Sequence, residues 1–369
     1  MKKQFFWTAA LMVPLVVNSQ CRVTELGGVS DITPNWPVAL DKNGNSMTVF
    51  QGGPTIWGSN GAVKASADIQ LPEGPYALSM NNVGQAVVRV GNCSSARPTY
   101  SSDLGIWKWT DGSVQCLKPL PFEVHPDFLQ QGSDAATVID DKGWVYANVT
   151  DTLNVNRAMA WPPNGAPIEL PAPSFSVYRK ALGGSASGLV VGVVSNHPDL
   201  SLGGAPVMWK NRTPSYLSIP LDMRQGEVQS AASNGDMVGR VAGPTASFSG
   251  IWWKSGGQQY ELMPNFRPSF VNRYGRSAGW ATTVPFLTPA IYANGAMTEI
   301  QKIVPSRWAK AGNTVVDVKG LNDKSQILVT YQRNSPEGSA WGQRCYRVAS
   351  GPSPKVVMWA APGLLDGAP

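Results

Sequence analysis

Short apolar runs, each ended by a polar turn, follow one another along most of the chain. Small, β-branched and aromatic residues fill the runs, while Asn, Asp, Ser and Gly fill the turns, so the pattern predicts β-hairpins. Two kinds of hairpin alternate. The first kind is "VALDKNGNSMTVF" from Val38, "ALSMNNVGQAVVRV" from Ala77, "TVIDDKGWVYANV" from Thr137 and "LGGSASGLVVGVV" from Leu182. It continues with "SAASNGDMVGRVA" from Ser230, "SFVNRYGRSAGWA" from Ser269 and "VKGLNDKSQILVTY" from Val318. The turns hold Gly44, Gly84, Gly143, Gly188, Gly235 and Gly275, which suit the positive φ of a tight turn. The seventh copy has Ser325 there, so its turn is expected to be built differently.

The second kind follows the first. Its copies are "PTIWGSNGAVKAS" from Pro54, "GIWKWTDGSVQCL" from Gly105, "AMAWPPNGAPIEL" from Ala158 and "PVMWKNRTPSYLS" from Pro206. Then come "GIWWKSGGQQYEL" from Gly250, "AIYANGAMTEIQK" from Ala290 and "GQRCYRVASGPSPKVV" from Gly342. An aromatic residue precedes most of these turns: Trp57, Trp109, Trp161, Trp209, Trp253 and Tyr292.

The repeating unit is therefore two hairpins, four short strands in about 45 residues, and it recurs between roughly Ile32 and Val357. One such unit cannot bury an apolar face alone. Packed radially, the units share a core, which predicts an all-β fold: a β-propeller of seven blades of four short antiparallel strands, in one domain over residues 20–369. The aromatic before the second turn is the expected filler between blades. A β-helix or stacked sandwiches are the alternatives, and the long, uneven repeat disfavours the β-helix. "CRVTELGGV" from Cys21 resembles an outer strand and is expected to join the last blade, with the tail "VVMWAAP" competing for the same edge.

These segments resemble the HAF-type extracellular repeat. "AMAWPPNGAPIEL" and "GIWWKSGGQQYEL" are similar to its first half. "ALSMNNVGQAVVRV", "SNGDMVGRV" and "ELGGVSDITPNWPVALDKNGNSMTV" are similar to its second. The His-Ala-Phe triplet of that repeat does not occur. The resemblance implies a bacterial exported, propeller-like protein and brings no catalytic residues with it.

Residues 1–19 read as a signal peptide: Lys2 and Lys3, then the apolar "FFWTAALMVPLVV", then "VNS" as a cleavage site. Periplasmic or extracellular localisation is expected. The "NSQC" before Cys21 does not fit a lipobox, so lipid attachment there is not expected. The later chain has no apolar run long enough to span a bilayer, and stable membrane insertion is not expected. A net charge of +6 with no basic run gives no nucleic-acid footprint. Four cysteines, Cys21, Cys93, Cys116 and Cys345, suit two disulfides in an exported protein. The expected pairs are Cys93 with Cys116 and Cys21 with Cys345. No cofactor or metal is expected.

In a propeller the tight turns share one face, and the longer connections share the other. The long-loop face is the expected working surface. Both histidines fall there, in His125-Pro126-Asp127 and His197-Pro198-Asp199, and both triplets also read as plain polar turns. His125, Asp127, His197, Asp199 and Asp103 are the candidate binding residues. "SSDLGIWKW" from Ser101 nearly matches the Asp-box of sialidase-like propellers, with the Trp one residue late. Arg224, Arg267, Arg273, Arg276 and Trp280 are a candidate cationic, aromatic surface. Turn chemistry accounts for Asp140, Asp141 and Asp323. The expected function is non-enzymatic binding of a protein or glycan partner at the cell envelope. The alternatives are a carbohydrate-active enzyme using Asp103, Glu123, Asp127 and Asp199 at the channel mouth, and a structural subunit of an envelope complex.

Overall fold

A computed structural model describes residues 22–26, 36–50, 53–67, 77–90, 103–122, 138–173, 176–197, 204–244, 248–282, 287–333 and 355–360. Their strands pair into seven four-stranded antiparallel sheets arranged as a β-propeller. Six sheets use strands consecutive in sequence. Their inner strands are Trp36–Leu40, Ala77–Met80, Val138–Ile139, Tyr178–Gly184, Gln225–Ala231 and Phe266–Asn272. The seventh sheet runs outward through Asn313–Leu321, Gln326–Arg333, Lys355–Ala360 and Arg22–Glu25. One sequence-based expectation for this sheet needs correcting. The tail does not compete with the N-terminal strand: it is the third strand, and Arg22–Glu25 pairs outside it, with Val23 opposite Trp359. The hairpin expected from Gly342 falls mostly outside the described residues.

The core is divided among the junctions between sheets. Val87 and Ile106 pack with Ile139, Val145, Met159 and Trp161 between the second and third sheets. Val191 and Leu217 pack with Val228, Met237, Ile251 and Trp253 between the fourth and fifth. Leu26 and Leu328 meet Trp57 between the seventh and first, which closes the ring. The sheets thus supply each other's apolar contacts, as a repeat that is unstable alone requires.

The third-strand aromatics occupy these junctions. Trp161, Trp209 and Trp253 donate from Nε1 to the carbonyls of Lys118, Pro171 and Ser218, at 2.9, 2.7 and 2.6 Å. Each of those carbonyls lies two residues past the outer strand of the preceding sheet. The indole both fills the junction and satisfies a polar group there. In the second sheet the equivalent residue is Trp107, not Trp109. Trp107 stands opposite Ala86, two residues after the turn glycine, as Trp253 stands opposite Met237. Trp109 lies beyond it, 6.4 Å away between ring centroids. Two Trp residues at a spacing of two point to one face of a strand, so pattern alone does not separate them.

A β-bulge interrupts the inner strand at the same place in six sheets, at Val38, Leu78, Leu182, Gln229, Ser269 and Lys319. Each stands six residues before Gly44, Gly84, Gly188, Gly235, Gly275 or Ser325. In sheets four to six the second strand meets the bulge with a glycine, Gly192, Gly239 or Gly279. A Cβ there would lie 1.9, 2.0 or 2.1 Å from the carbonyl oxygen of Lys180, Glu227 or Arg267. The backbones approach too closely for any side chain.

Two short helices, Ile300–Ile303 and Ser306–Lys310, interrupt the strand pattern before the seventh sheet. They place Ile300, Val304 and Trp308 in the sixth–seventh junction, where Trp308 meets Tyr331 edge-on at 4.9 Å. Among the described residues no helix is long and apolar enough to cross a membrane. Residues 1–19, read as a signal peptide, lie outside the described residues.

Candidate functional site

Each inner strand ends in a four-residue turn, and in every sheet but the fifth, where Ala232 stands first, the side chain of the first residue builds it. Asp41 Oδ1 accepts the backbone N–H of Asn43 at 2.8 Å and of Asn45 at 2.7 Å. Asp140 Oδ1 does the same for Lys142 and Trp144, both at 2.9 Å. Asn81, Asn272 and Asn322 repeat the arrangement. A short side chain with an acceptor oxygen is what an Asx turn needs. In the fourth sheet Ser185 Oγ accepts from Leu189 at 3.3 Å instead.

The seventh turn is built like the others, contrary to expectation. Ser325 adopts φ 56°, and its N–H donates to Asn322 O at 3.0 Å, as Gly44 N–H donates to Asp41 O at 3.2 Å. Its hydroxyl has work that glycine could not do: it accepts from Arg276 Nη1, and from Asn272 Nδ2 at 3.4 Å.

Asparagine at the first turn position also reaches the next sheet. Asn81 Nδ2 donates to Asp140 O at 2.9 Å, Asn272 Nδ2 to Asn322 O at 3.1 Å and Asn322 Nδ2 to Asp41 O at 2.8 Å. A second set of bonds runs beside these. Lys42 N donates to Asn82 Oδ1 at 2.8 Å, Asn82 N to Asp141 Oδ1 at 2.9 Å and Arg273 N to Asp323 Oδ1 at 3.0 Å. The turns therefore form a hydrogen-bonded collar.

Inside that collar is a cavity of about 570 Å³. The second residue of every turn lines it: Lys42, Asn82, Asp141, Ala186, Ser233, Arg273 and Asp323. Each stands two residues before its turn residue, so the position is marked in the sequence, although Asp141 and Asp323 read there as turn chemistry. Deeper in, both sides mix apolar and polar residues: Leu40, Ser79, Met80 and Ile139 contribute from the first four sheets, and Gln229, Ser269, Phe270, Lys319 and Leu321 from the last three. Lys319 is paired with Asp317 at 2.5 Å, and Ser233 Oγ donates to Asp323 Oδ2 at 3.1 Å. Burial raises the Asp140 carboxyl above its ordinary range. The Tyr146 phenol is pushed up to about 12, chiefly by burial and then by the Asp140 charge.

The opposite end of the inner strands carries the long connections. Of the expected binding residues there, His125, Asp127 and Asp199 lie outside the described residues, as does Glu123. Asp103 begins the third strand of the second sheet, opposite Val90. His197 is exposed just past the fourth sheet's second strand, its N–H donating to Ser195 Oγ at 2.9 Å. Asp103 and His197 thus belong to sheets two apart. The near-match to an Asp-box runs into that third strand from Asp103 onward.

The expected arginine surface is not one surface. Arg267 and Arg273 flank the sixth inner strand, Arg267 at its long-loop end and Arg273 in the turn, where it pairs with Asp323 at 3.8 Å. Arg276 bonds to Ser325. Cys116 is disulfide-bonded. Cys21, Cys93 and Cys345 lie outside the described residues. Among the described residues no three His, Cys, Asp or Glu side chains are grouped to hold a metal.

No protein-family model matches the chain, and no curated protein sequence does. Solved structures do match. A streptogramin B lyase is similar with a TM-score of 0.50 at 11% identity, over 92% of this chain and 97% of that one. Virginiamycin B lyase from Staphylococcus aureus is similar with a TM-score of 0.48 at 11% identity, over 92% of this chain and 99% of that one. A puromycin hydrolase is similar with a TM-score of 0.51 at 10% identity, over 84% of this chain and 53% of that one. At such identities the likeness shows the propeller fold and nothing finer.

Proposed function

We propose that the protein is an exported, non-enzymatic propeller, each of its seven sheets one blade, that binds a glycan in its central channel. One observation carries this reading: the 570 Å³ cavity inside the turn collar. That volume lies within the ~300–1,000 Å³ usual for small-ligand sites. Its walls carry aliphatic and polar side chains together. A sugar ring offers both a C–H face and hydroxyl edges to such a wall. The collar holds the polar side chains on a bonded backbone, so little freedom is lost on binding. The HAF-like repeats and the leader-like residues 1–19 support an envelope location, and the long-loop face is the surface left for a protein partner.

The test is a glycan array followed by calorimetry on Arg273→Ala and Gln229→Ala. Binding that weakens about tenfold in both variants supports the channel as the site. Binding unaffected by both, or no glycan bound at all, ends the reading. Cell fractionation that finds the protein in the cytoplasm ends its envelope part.

A further inference from the structure

The end of the ring that holds the tight turns is cationic all the way round. Antiparallel order puts the turn after the inner strand and the turn after the third strand at the same end of each sheet. The inner turns supply Lys42, Lys142, Arg273 and Lys324 from the first, third, sixth and seventh sheets, all exposed. The outer turns supply Lys64, Lys108, Lys210, Arg212 and Lys254 from the first, second, fourth and fifth. Sheets without a cation at the inner turn thus carry one at the outer turn, and no sheet is left out. Lys64 stands over its own turn: its Cε lies 3.1 Å from where a Cβ on Gly58 would be.

The acids at this end do not offset them. Those that are not buried, among the described residues, are Asp111, Asp141, Asp236 and Asp323, and each already accepts from a neighbouring donor. Asp111 takes the Ser113 hydroxyl at 2.6 Å, Asp141 the Asn82 amide at 3.1 Å and Asp236 the Ser255 N–H at 3.1 Å. Asp323 takes the Ser233 hydroxyl and makes the one ion pair of this end among the described residues, with Arg273 at 3.8 Å. Lys42 belongs both to this face and to the cavity. Of the cations lining the cavity, Lys319 is paired with Asp317 and Arg273 with Asp323, while Lys42 has no ion pair among the described residues. Tyr274, exposed at the tip of the sixth turn, adds an aromatic ring beside Arg273, whose guanidinium lies 4.7 Å from its centroid.

We infer that the glycan taken by the channel is a polyanion: a uronate- or sulfate-bearing polysaccharide that places one charged residue beside Lys42 while its neighbours lie over the cationic turns. The inference rests on the channel reading and adds to it the class of ligand. A ring of like charges around a mouth draws a chain of opposite charge toward that mouth. Each exposed cation contributes little alone, so affinity grows with the number of anions one chain presents at once. A lipid bilayer would meet the same charges only at the turn tips and would leave the cavity unfilled. The Tyr274 ring and the Leu40 and Met80 side chains of the wall suit the C–H face of a sugar.

The experiment is calorimetry of the full chain with a galacturonate decamer and dimer, a neutral glucose decamer, a glutamate decapeptide and phosphatidylglycerol vesicles. The variants are Lys42→Gln, the rim pair Lys64→Gln with Lys210→Gln, and Gln229→Ala, with a thermal melt as the folding control. Lys64 and Lys210 are exposed and their side chains make no bond among the described residues, so the rim variant should fold. The expected result is an acidic decamer bound at least about tenfold more tightly than the neutral one. That preference should shrink as salt rises. The rim variant should weaken the acidic decamer about threefold and leave the dimer unchanged. Lys42→Gln should weaken both acidic oligomers about tenfold. Neutral binding as tight as acidic, with Gln229→Ala still weakening it, overturns the inference and leaves the channel reading standing. Acidic binding lost in the rim variant but untouched by Lys42→Gln and Gln229→Ala ends the channel reading, and the Lys42 contact with it. Vesicles or the glutamate peptide bound as tightly as the acidic decamer overturn the saccharide class.

Discussion

Asn322 donates from Nδ2 to the carbonyl of Asp41 at 2.8 Å, although the two residues are 281 positions apart in sequence. The same side chain bonds Gln326 Oε1 at 2.8 Å and accepts the N–H groups of Lys324 and Gln326. It therefore holds its own turn and the closure of the ring together. Asn322→Ala should cost about 2–4 kcal/mol, because several buried polar groups lose their partner at once. Urea unfolding measures it. The exposed Asn43→Ala is the reference, expected to change stability by less than about 0.5 kcal/mol. Equal effects of the two would show that the collar does not hold the ring closed.

Trp209 is fully buried and bonds to Pro171 O. Trp209→Phe should cost about 2–3 kcal/mol, from a small cavity and a carbonyl left bare between two sheets. Tyr292→Phe removes only a 3.3 Å bond to Glu261 and should cost about 0.5 kcal/mol. Chemical denaturation of both variants reads the difference. A cost for Tyr292→Phe as large as that for Trp209→Phe would count against the indole bond as the anchor.

Gly239→Ala should destabilise by about 3 kcal/mol, since its Cβ meets fixed backbone at 2.0 Å. Gly112→Ala is the contrast. Its φ is 76° but nothing lies within 4 Å, so the cost should be about 1 kcal/mol of backbone strain. Equal costs would mean that close approach, as distinct from φ, is not the reason for the glycine at the bulge.

Asp140→Asn should raise the melting temperature at neutral pH. Burial lifts the Asp140 carboxyl in the fold, so the folded state disfavours its ionised form. Its contribution to stability is full below the unfolded-state value and is lost as pH rises through the folded-state value. The amide keeps the Oδ1 acceptor of the turn without the charge, as Asn81, Asn272 and Asn322 do in other sheets. The advantage should be about 1–2 °C near pH 7 and should vanish near pH 3. Melts across pH test this, and a variant less stable at pH 7 contradicts it.

The turns were legible because their chemistry is local. Asp41 and Gly44 need only each other and three neighbours to specify an Asx turn, so the repeat could be read from composition and spacing. The bulges could not be, because a bulge is a mismatch with a partner strand and Gln229 carries no mark of it. The spacing of Trp107 and Trp109 would put both on one strand face, and only the register opposite Ala86 and the strand's end at Lys108 separate them. The helices at Ile300 and Ser306 escaped notice since each is barely one turn and is held by the sixth–seventh junction, not by a helical pattern. The channel site was missed for a different reason. In the sequence Asp141 and Asp323 read as ordinary turn residues, Arg273 reads as part of a separate cationic surface, and Lys42 carries no mark of a site. Their convergence is a property of the circle and of no single repeat.

The mixed origin of the seventh sheet sets an order of assembly. Arg22–Glu25 is made well before the strand it must pair with, Lys355–Ala360, and has to wait for it. Until that moment two sheet edges stand open and the junction around Trp57 is unfilled. The ring can be sealed only once Lys355–Ala360 has been synthesised, so a chain cut short before Lys355 would leave an open arc able to recruit strands from its neighbours.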